Sequence, residues 1–318
     1  MAGFEGASSN FLVATGGQNN GFFLPEIYSQ KVQNFFRKAS VVEAITNTDY
    51  TGEIAAFGDT VNIIKEPTIT TYDYTRGATT TKTVLTDQEL VLVVDQARAF
   101  KFIVDDIEKR MSHVNFKEVA SSSAAYALKD QKDSNVLSYI SDNISASAPD
   151  MVLGSDSATP AASIGAATGY IDVGFGTGEV DPIDLLARFA RMLDEQSVPE
   201  EDRWFVASPE FYEVLSESSS KLLSVDYNGG QGSIRNGLVS SGLLRGFKMY
   251  KSNNITDGSN ANVCMAGHMS AVASAGTMLE VESLRDQDSF GDIVRGLHVY
   301  GRKVLRPEAV AKAFWLAD

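Results

Sequence analysis

The sequence predicts an α+β chain built as two lobes, and three observations carry that reading. No glycine or proline interrupts the stretch between Gly77 and Pro149, and from Asp105 onward its apolar residues recur at helical spacing. Runs rich in β-branched residues precede that stretch and return near the C-terminus. Between them, 149–180 turns abruptly to Gly, Ala, Ser, Thr and Asp, and beyond it strand and helix patterns alternate. At 318 residues the chain can fill two cores, at roughly 150 residues each.

Residues 1–24 are rich in Gly, Asn and Ser, cannot bury enough apolar surface to order themselves, and read as an extended arm. Within 25–50, Ile27, Lys31, Val32, Phe35 and Phe36 predict a short amphipathic helix over Glu26 to Ala39 whose apolar face needs a partner. The segment 51–104 reads as a long hairpin. Val61 and Ile63 alternate with Thr60 and Asn62 on the way out, Thr68 to Thr83 form a wide polar tip, and Val84 to Val104 form the return strand. An isolated two-stranded ribbon is marginal in water, so a neighbouring copy of the chain is the natural cover.

Residues 105–148 are expected to be one helix, capped by Asp105 or Asp106, with Ile107, Met111, Val114, Ala120, Ala124, Leu128, Val136, Leu137 and Ile140 on its apolar side. Such a helix would run roughly 50–60 Å and imply a flat, elongated subunit. The segment 149–180 is taken as a flexible linker between lobes. Asp181-Pro182 then opens a helix with Ile183, Leu186, Ala190 and Leu193 on one face. Trp204 to Ala207 reads as a buried strand, and Ser208-Pro209-Glu210 as a helix start running to Leu215. Short strands follow at Gly246–Ser252 and Val263–Ala266, with longer ones at Met278–Leu284 and Ile293–Val304. This makes 181–277 the second lobe and 278–318 strands returning to the first.

A net charge of −14 argues against a chain that grips nucleic acid over its whole surface. The lone Cys264 can form no internal disulfide, and no signal peptide or apolar run of membrane-spanning length is visible. Gly174-Phe175-Gly176-Thr177-Gly178 superficially suggests a phosphate loop but matches neither the dinucleotide nor the Walker spacing. His113, His268 and His298 lie in separate elements, Asp105-Asp106 and Asp286/Asp288 fall at a helix start and a polar turn, and no nucleophile elbow is present. No catalytic, metal or cofactor residue is assigned, and the chain is read as non-enzymatic.

Taken as an ordered set, several segments resemble the major capsid proteins of tailed phages. They are Phe23-Leu24-Pro25-Glu26-Ile27-Tyr28-Ser29, Gly58-Asp59-Thr60-Val61-Asn62-Ile63, the tip Asp73-Tyr74-Thr75-Arg76-Gly77, and Asp105 to Arg110. Later come Val198-Pro199 to Tyr212, Gly246 to Asn254, Ala266-Gly267-His268, and the closing stretch from Glu282 through Gly296-Leu297-His298-Val299-Tyr300-Gly301 to Val310. The resemblance implies a Hong Kong 97 type fold: an N-terminal arm, an extended β-hairpin loop, a peripheral domain with a long spine helix, and an axial domain. It implies self-assembly into hexamers and pentamers of an icosahedral virion shell around double-stranded DNA, assembled in the host cytoplasm without membrane.

Subunit contacts would fall on Tyr72, Asp73, Tyr74, Arg76 and Lys82 at the loop tip, and on Phe23, Ile27 and Tyr28 in the arm and its helix. A separate scaffolding protein, a portal protein and decoration proteins are the implied partners, with weak DNA contact. Lys65 and Lys82 lie in the loop, yet no acceptor for an isopeptide cross-link is identifiable, so none is expected. An encapsulin-like compartment enclosing a cargo enzyme is the alternative of the same fold.

Overall fold

The computed structural model describes residues 37–317 apart from 39, 51–57, 59, 66–68, 70, 74, 78–87, 107–115, 148, 162–168, 218–243, 256–257 and 288. The expected arm and most of the expected 26–39 helix lie outside the described residues, and Arg37 and Lys38, at the end of that helix, are non-helical. The first described element is a single turn, α1 (Val42–Ile45), which seats Val42 and Ile45 in the core.

The hairpin forms as its alternation predicts. Strands β1 (Thr60–Lys65) and β2 (Gln88–Val93) pair antiparallel, with Val61 opposite Leu92 and Ile63 opposite Leu90. The return run is not one strand, however. It breaks at Val94 and Asp95, and β3 (Gln96–Asp105) leaves the hairpin to pair with β10 (Gly291–Val304), which also pairs with β9 (Val272–Arg285). Packing explains the break: Val94 turns fully into a small core with Val61, Leu92, Ala273, Ala275 and Val299. Glycine is required opposite it, because a Cβ on Gly301 would stand 2.5 Å from the Val93 carbonyl oxygen.

Asp105 closes β3 opposite Gly291 and directly precedes helical Asp106, whose amide donates to the Phe290 carbonyl and whose carboxylate pairs with Arg285; residues 107–115 lie outside the described ones. The long helix α2 is described from Phe116 to Ser147, 32 residues, or about 48 Å. Its expected apolar positions Val136, Leu137 and Ile140 are fully buried, together with Ile144.

A second, six-stranded sheet holds most of the core. Its order is β4 (Val152–Leu153), β11 (Val310–Leu316), β8 (Asn262–His268), β6 (Arg203–Ala207), β7 (Lys248–Lys251), with β5 (Ile171–Asp172) also on β11. Helix α3 (Pro182–Glu195) starts at the expected cap, where Asp181 accepts the Ile183 amide at 2.9 Å, and α4 (Pro209–Leu215) follows β6. Phe189 of α3 and Phe211 of α4 flank Phe205, and Phe211 meets Trp315 edge-on, so this helix pair covers one face of the sheet. Lys312 on the other face donates to the Ser141 carbonyl, which places the end of α2 there.

Two domain assignments need correction. The stretch 149–180 is not a free linker: Val152–Leu153 and Ile171–Asp172 run parallel to β11, and Met151, Leu153, Ile171 and Val173 are buried. Nor does all of 278–318 return to the first lobe, since β9 already begins at Val272 and β11 lies inside the six-stranded sheet. The two sheets are joined by continuous chain. β8 runs into β9 and β10 into β11, and at the crossing the Ala271 carbonyl accepts the amides of Leu305 and Arg306. Helix α2 spans both, from Lys117 on Ser283 of β9 to Ser141 on Lys312.

Candidate functional site

Cross-strand pairing gives the hairpin two unlike faces. Val61 and Leu92 face the protein, whereas Ile64 is 81% exposed and Val91 and Val93 face outward beside it. Aliphatic groups on the outer face of a two-stranded ribbon gain nothing from the monomer.

The three-stranded sheet repeats this asymmetry. One face carries Val294, His298, Tyr300 and Arg302 toward α2, with the Arg302 guanidinium 4.6 Å over the Tyr139 ring. The opposite face is covered by the hairpin root at Val299 and Gly301. Farther along it lies open, where Ile103, Ile293 and Leu284 stand in register, next to the row of Lys101, Arg295 and Glu282. Ile103 is 51% exposed, and Phe290 at the β9–β10 turn is 81% exposed. Arg285 holds that turn by pairing with both Asp106 and Asp292.

Of the loop-tip residues singled out above, Tyr72, Asp73 and Arg76 are exposed, and Gly77 takes a φ of 90° that suits a turn glycine. Tyr74, Lys82, Phe23, Ile27 and Tyr28 lie outside the described residues. So does the side chain of Lys65.

Of the groups that could have carried chemistry, His113 and Asp288 lie outside the described residues, and others are occupied structurally. The Gly174–Gly178 tract folds around its own carboxylate: Glu179 accepts the Gly176 amide, and a Cβ on Gly174 or Gly176 would collide with it. An anion held there would face that negative charge. Cys264 is fully buried and burial pushes its thiol far up. His268 accepts the Ser270 amide at 3.1 Å. Burial, and after it the charge of Lys132, holds the His298 imidazole below the usual histidine range. Among the described residues no three His, Cys, Asp or Glu groups converge as a metal site, and no helix is long and apolar enough to cross a membrane.

Sequence reading missed one residue, Asp133. Its carboxylate is fully buried and accepts hydrogen bonds from Ser40, Val41, Val42 and Asn254. Its partners lie up to 121 residues away, so no local pattern could have revealed it.

The profile of the phage capsid protein family matches residues 88–313. No curated protein matches the chain. Among solved structures, a chain from Mycobacterium phage Che8 is 28% identical with a TM-score of 0.71, covering 92% of this chain and 97% of that one. The capsid of the Cyanophage P-SCSP1u superimposes with a TM-score of 0.73 over 98% of each chain at 19% identity. The mature capsid of bacteriophage PhiM1 does so at 0.63 and 14% identity, over 92% of this chain and 91% of that one. The fold is thus the Hong Kong 97 type of tailed-phage capsids. With a family match spanning most of its length and the fold of assembled phage shells, the chain belongs to the phage capsid protein family, as a major capsid protein and not a cargo-compartment shell.

Proposed function

We propose that copies of this chain form hexameric and pentameric capsomers that close into an icosahedral shell around double-stranded DNA. The observation that carries this is the outer face of the hairpin, where Ile64, Val91 and Val93 stand in water although the ribbon's inner face is packed. Burying that face under cyclic symmetry takes a surface on the adjacent copy, so the extended loop lies over its neighbour. The tip residues Tyr72, Asp73, Tyr74, Arg76 and Lys82, and Phe23, Ile27 and Tyr28 of the arm and its helix, belong to these contacts.

A charge of −14 per subunit keeps the inner wall from adhering to packaged DNA, leaving contact local and weak. Assembly takes place in the host cytoplasm, guided by a separate scaffolding protein, with a portal protein at the DNA entrance and decoration proteins as possible additions. The chain acts as structure and catalyses nothing.

Electron microscopy of the purified protein, together with a deletion of residues 71–81, tests the reading. The intact chain should give closed shells, sheets or rings of capsomer size. The deleted chain should fold, with its two sheets intact, yet build no stable particle. Normal particles from the deletion would show that the loop holds no subunits together.

A further inference from the structure

Helix α2 is held by two unlike seams. Val136, Leu137, Ile140 and Ile144 are fully buried in the core that also holds β8 and β11. Another stripe of the helix carries Lys132, Asn135 and Tyr139, three and four residues apart, and β10 turns His298, Tyr300 and Arg302 toward it. The Arg302 guanidinium sits 4.6 Å over the Tyr139 ring, and the charge of Lys132 reaches His298. The two rows therefore run in the same direction, with Asn135 and Tyr300 between those contacts.

This second seam is polar and poorly satisfied. Asn135 Oδ1, His298 Nδ1, the Tyr300 hydroxyl and Arg302 Nε are buried with no hydrogen-bond partner among the described residues, and Tyr300 is 0% exposed. Each such group weakens the closed contact, because water would satisfy it.

His298 also stands among cations. Lys132 reaches it from α2, Arg98 lies opposite on β3, Arg302 follows on the same face of β10, and β9 sets the uncharged Met278 in register with it. The acids around the seam serve other groups. Glu43 pairs with Lys129 and Asp95 with Arg302, both carboxylates being exposed. Asp133, which also acts on Lys132, accepts from Ser40, Val41, Val42 and Asn254. Burial, and after it Lys132, holds the imidazole below the usual histidine range. The closed seam thus keeps His298 neutral, whereas in an open seam the ring takes its proton near the ordinary value of about 6.5. By linkage, pH below that value favours the open form.

We propose that the seam between α2 and β10 is a proton-operated joint: as His298 takes up a proton, the Lys132–Tyr139 stretch of α2 parts from the three-stranded sheet and keeps its apolar hold on the core around β11. Parting carries the imidazolium away from Lys132 and lets water reach the four unmet groups. Toward its other end, α2 meets this sheet through the exposed Lys117–Ser283 bond at 3.2 Å, a contact of modest strength. The hairpin roots on the same sheet at Val94, Val299 and Gly301, so the joint gives it a second setting relative to the core. The device belongs to the single subunit and stands whether or not copies assemble.

Thiol accessibility in the full-length protein tests this, with the fully buried Cys264 of β8 reporting on the six-stranded sheet. Asn135→Cys and Val304→Cys each place a thiol in the seam, one at an unmet group and one beside Tyr139. Labelling by dithiodipyridine, scaled to the urea-unfolded chain at the same pH, removes the pH dependence of the thiol itself. Between pH 7.5 and 5.0 the seam thiol should lose protection by about tenfold or more while Cys264 stays protected, as for a contact that opens without global unfolding. With His298→Gln added, the seam should stay protected at both pH values.

Unchanged seam labelling at a pH where the ring signal of His298 has titrated by NMR would overturn the proposal. So would exposure of the seam thiol and Cys264 together, which marks global unfolding, or an acid response that persists in His298→Gln.

Discussion

His298 shows how one side chain records its surroundings. It points from β10 toward α2, where Lys132 stands; Arg98 lies opposite it on β3, and Tyr300 and Arg302 continue its row, with Arg302 also reaching Asp95. Burial and Lys132 depress its protonation in the folded state, so the unfolded chain binds a proton first as pH falls. Stability from this site is complete above the unfolded value of about 6.5 and erodes as pH drops toward the depressed folded value. Urea unfolding at pH 7.5 and 5.5 should show that loss, and His298→Gln should show less of it. Lys312 is another costly residue: 3% exposed, it is met by the carbonyl and hydroxyl of Ser141 and by the Phe314 ring, and burial lowers its protonation. Because desolvating a charge offsets what its partners return, Lys312→Met should leave unfolding stability unchanged or raise it by about 1 kcal/mol. A loss of several kcal/mol would show instead that its bonds to α2 outweigh the desolvation.

At the scale of elements the hairpin separates folding from assembly. Leu92 is fully buried in the root and Val91, the next residue, faces out. Leu92→Ala should cost about 2–5 kcal/mol of local stability, read as lost amide protection across β1 and β2. Val91→Asp should change monomer stability by less than about 0.5 kcal/mol, yet abolish particles seen by electron microscopy. If Val91→Asp assembles normally, the outer face of the ribbon is not a subunit contact. Helix α3 shows an element whose limits are written locally: Asp181, Pro182 and the apolar positions after them fix its start and buried face.

For the molecule as a whole, β11 is decisive. It carries β8 on one side and β4 and β5 on the other, buries Trp315, and touches α2 through Lys312. Truncation before Val310 should therefore abolish the folded state, seen as loss of cooperative melting, where removal of an edge strand would only lower the midpoint. The two sheets share α2 and the paired crossings at Ala271, so forces applied at the hairpin or the β9–β10 turn are carried through packed elements into the large sheet. A shell subunit that must keep its shape while its edges are pulled by neighbours suits that construction.

By itself the sequence determined the parts governed by local periodicity and chain punctuation. These are the long helix, the outgoing strand of the hairpin, the Asp181 cap and the buried strand at Trp204, together with the ordered motifs that resemble phage capsid proteins. Residue spacing decides them, and neighbours distant in the chain do not change it. Only the tertiary structure decided that Val94 and Gly301 split the return strand, and that 149–180 is stitched to β11. It alone showed that Asp133 gathers Ser40, Val42 and Asn254 around one buried charge. Each of these depends on contacts between residues far apart in sequence, whose energies arise only when the two sheets and the helix have already come together.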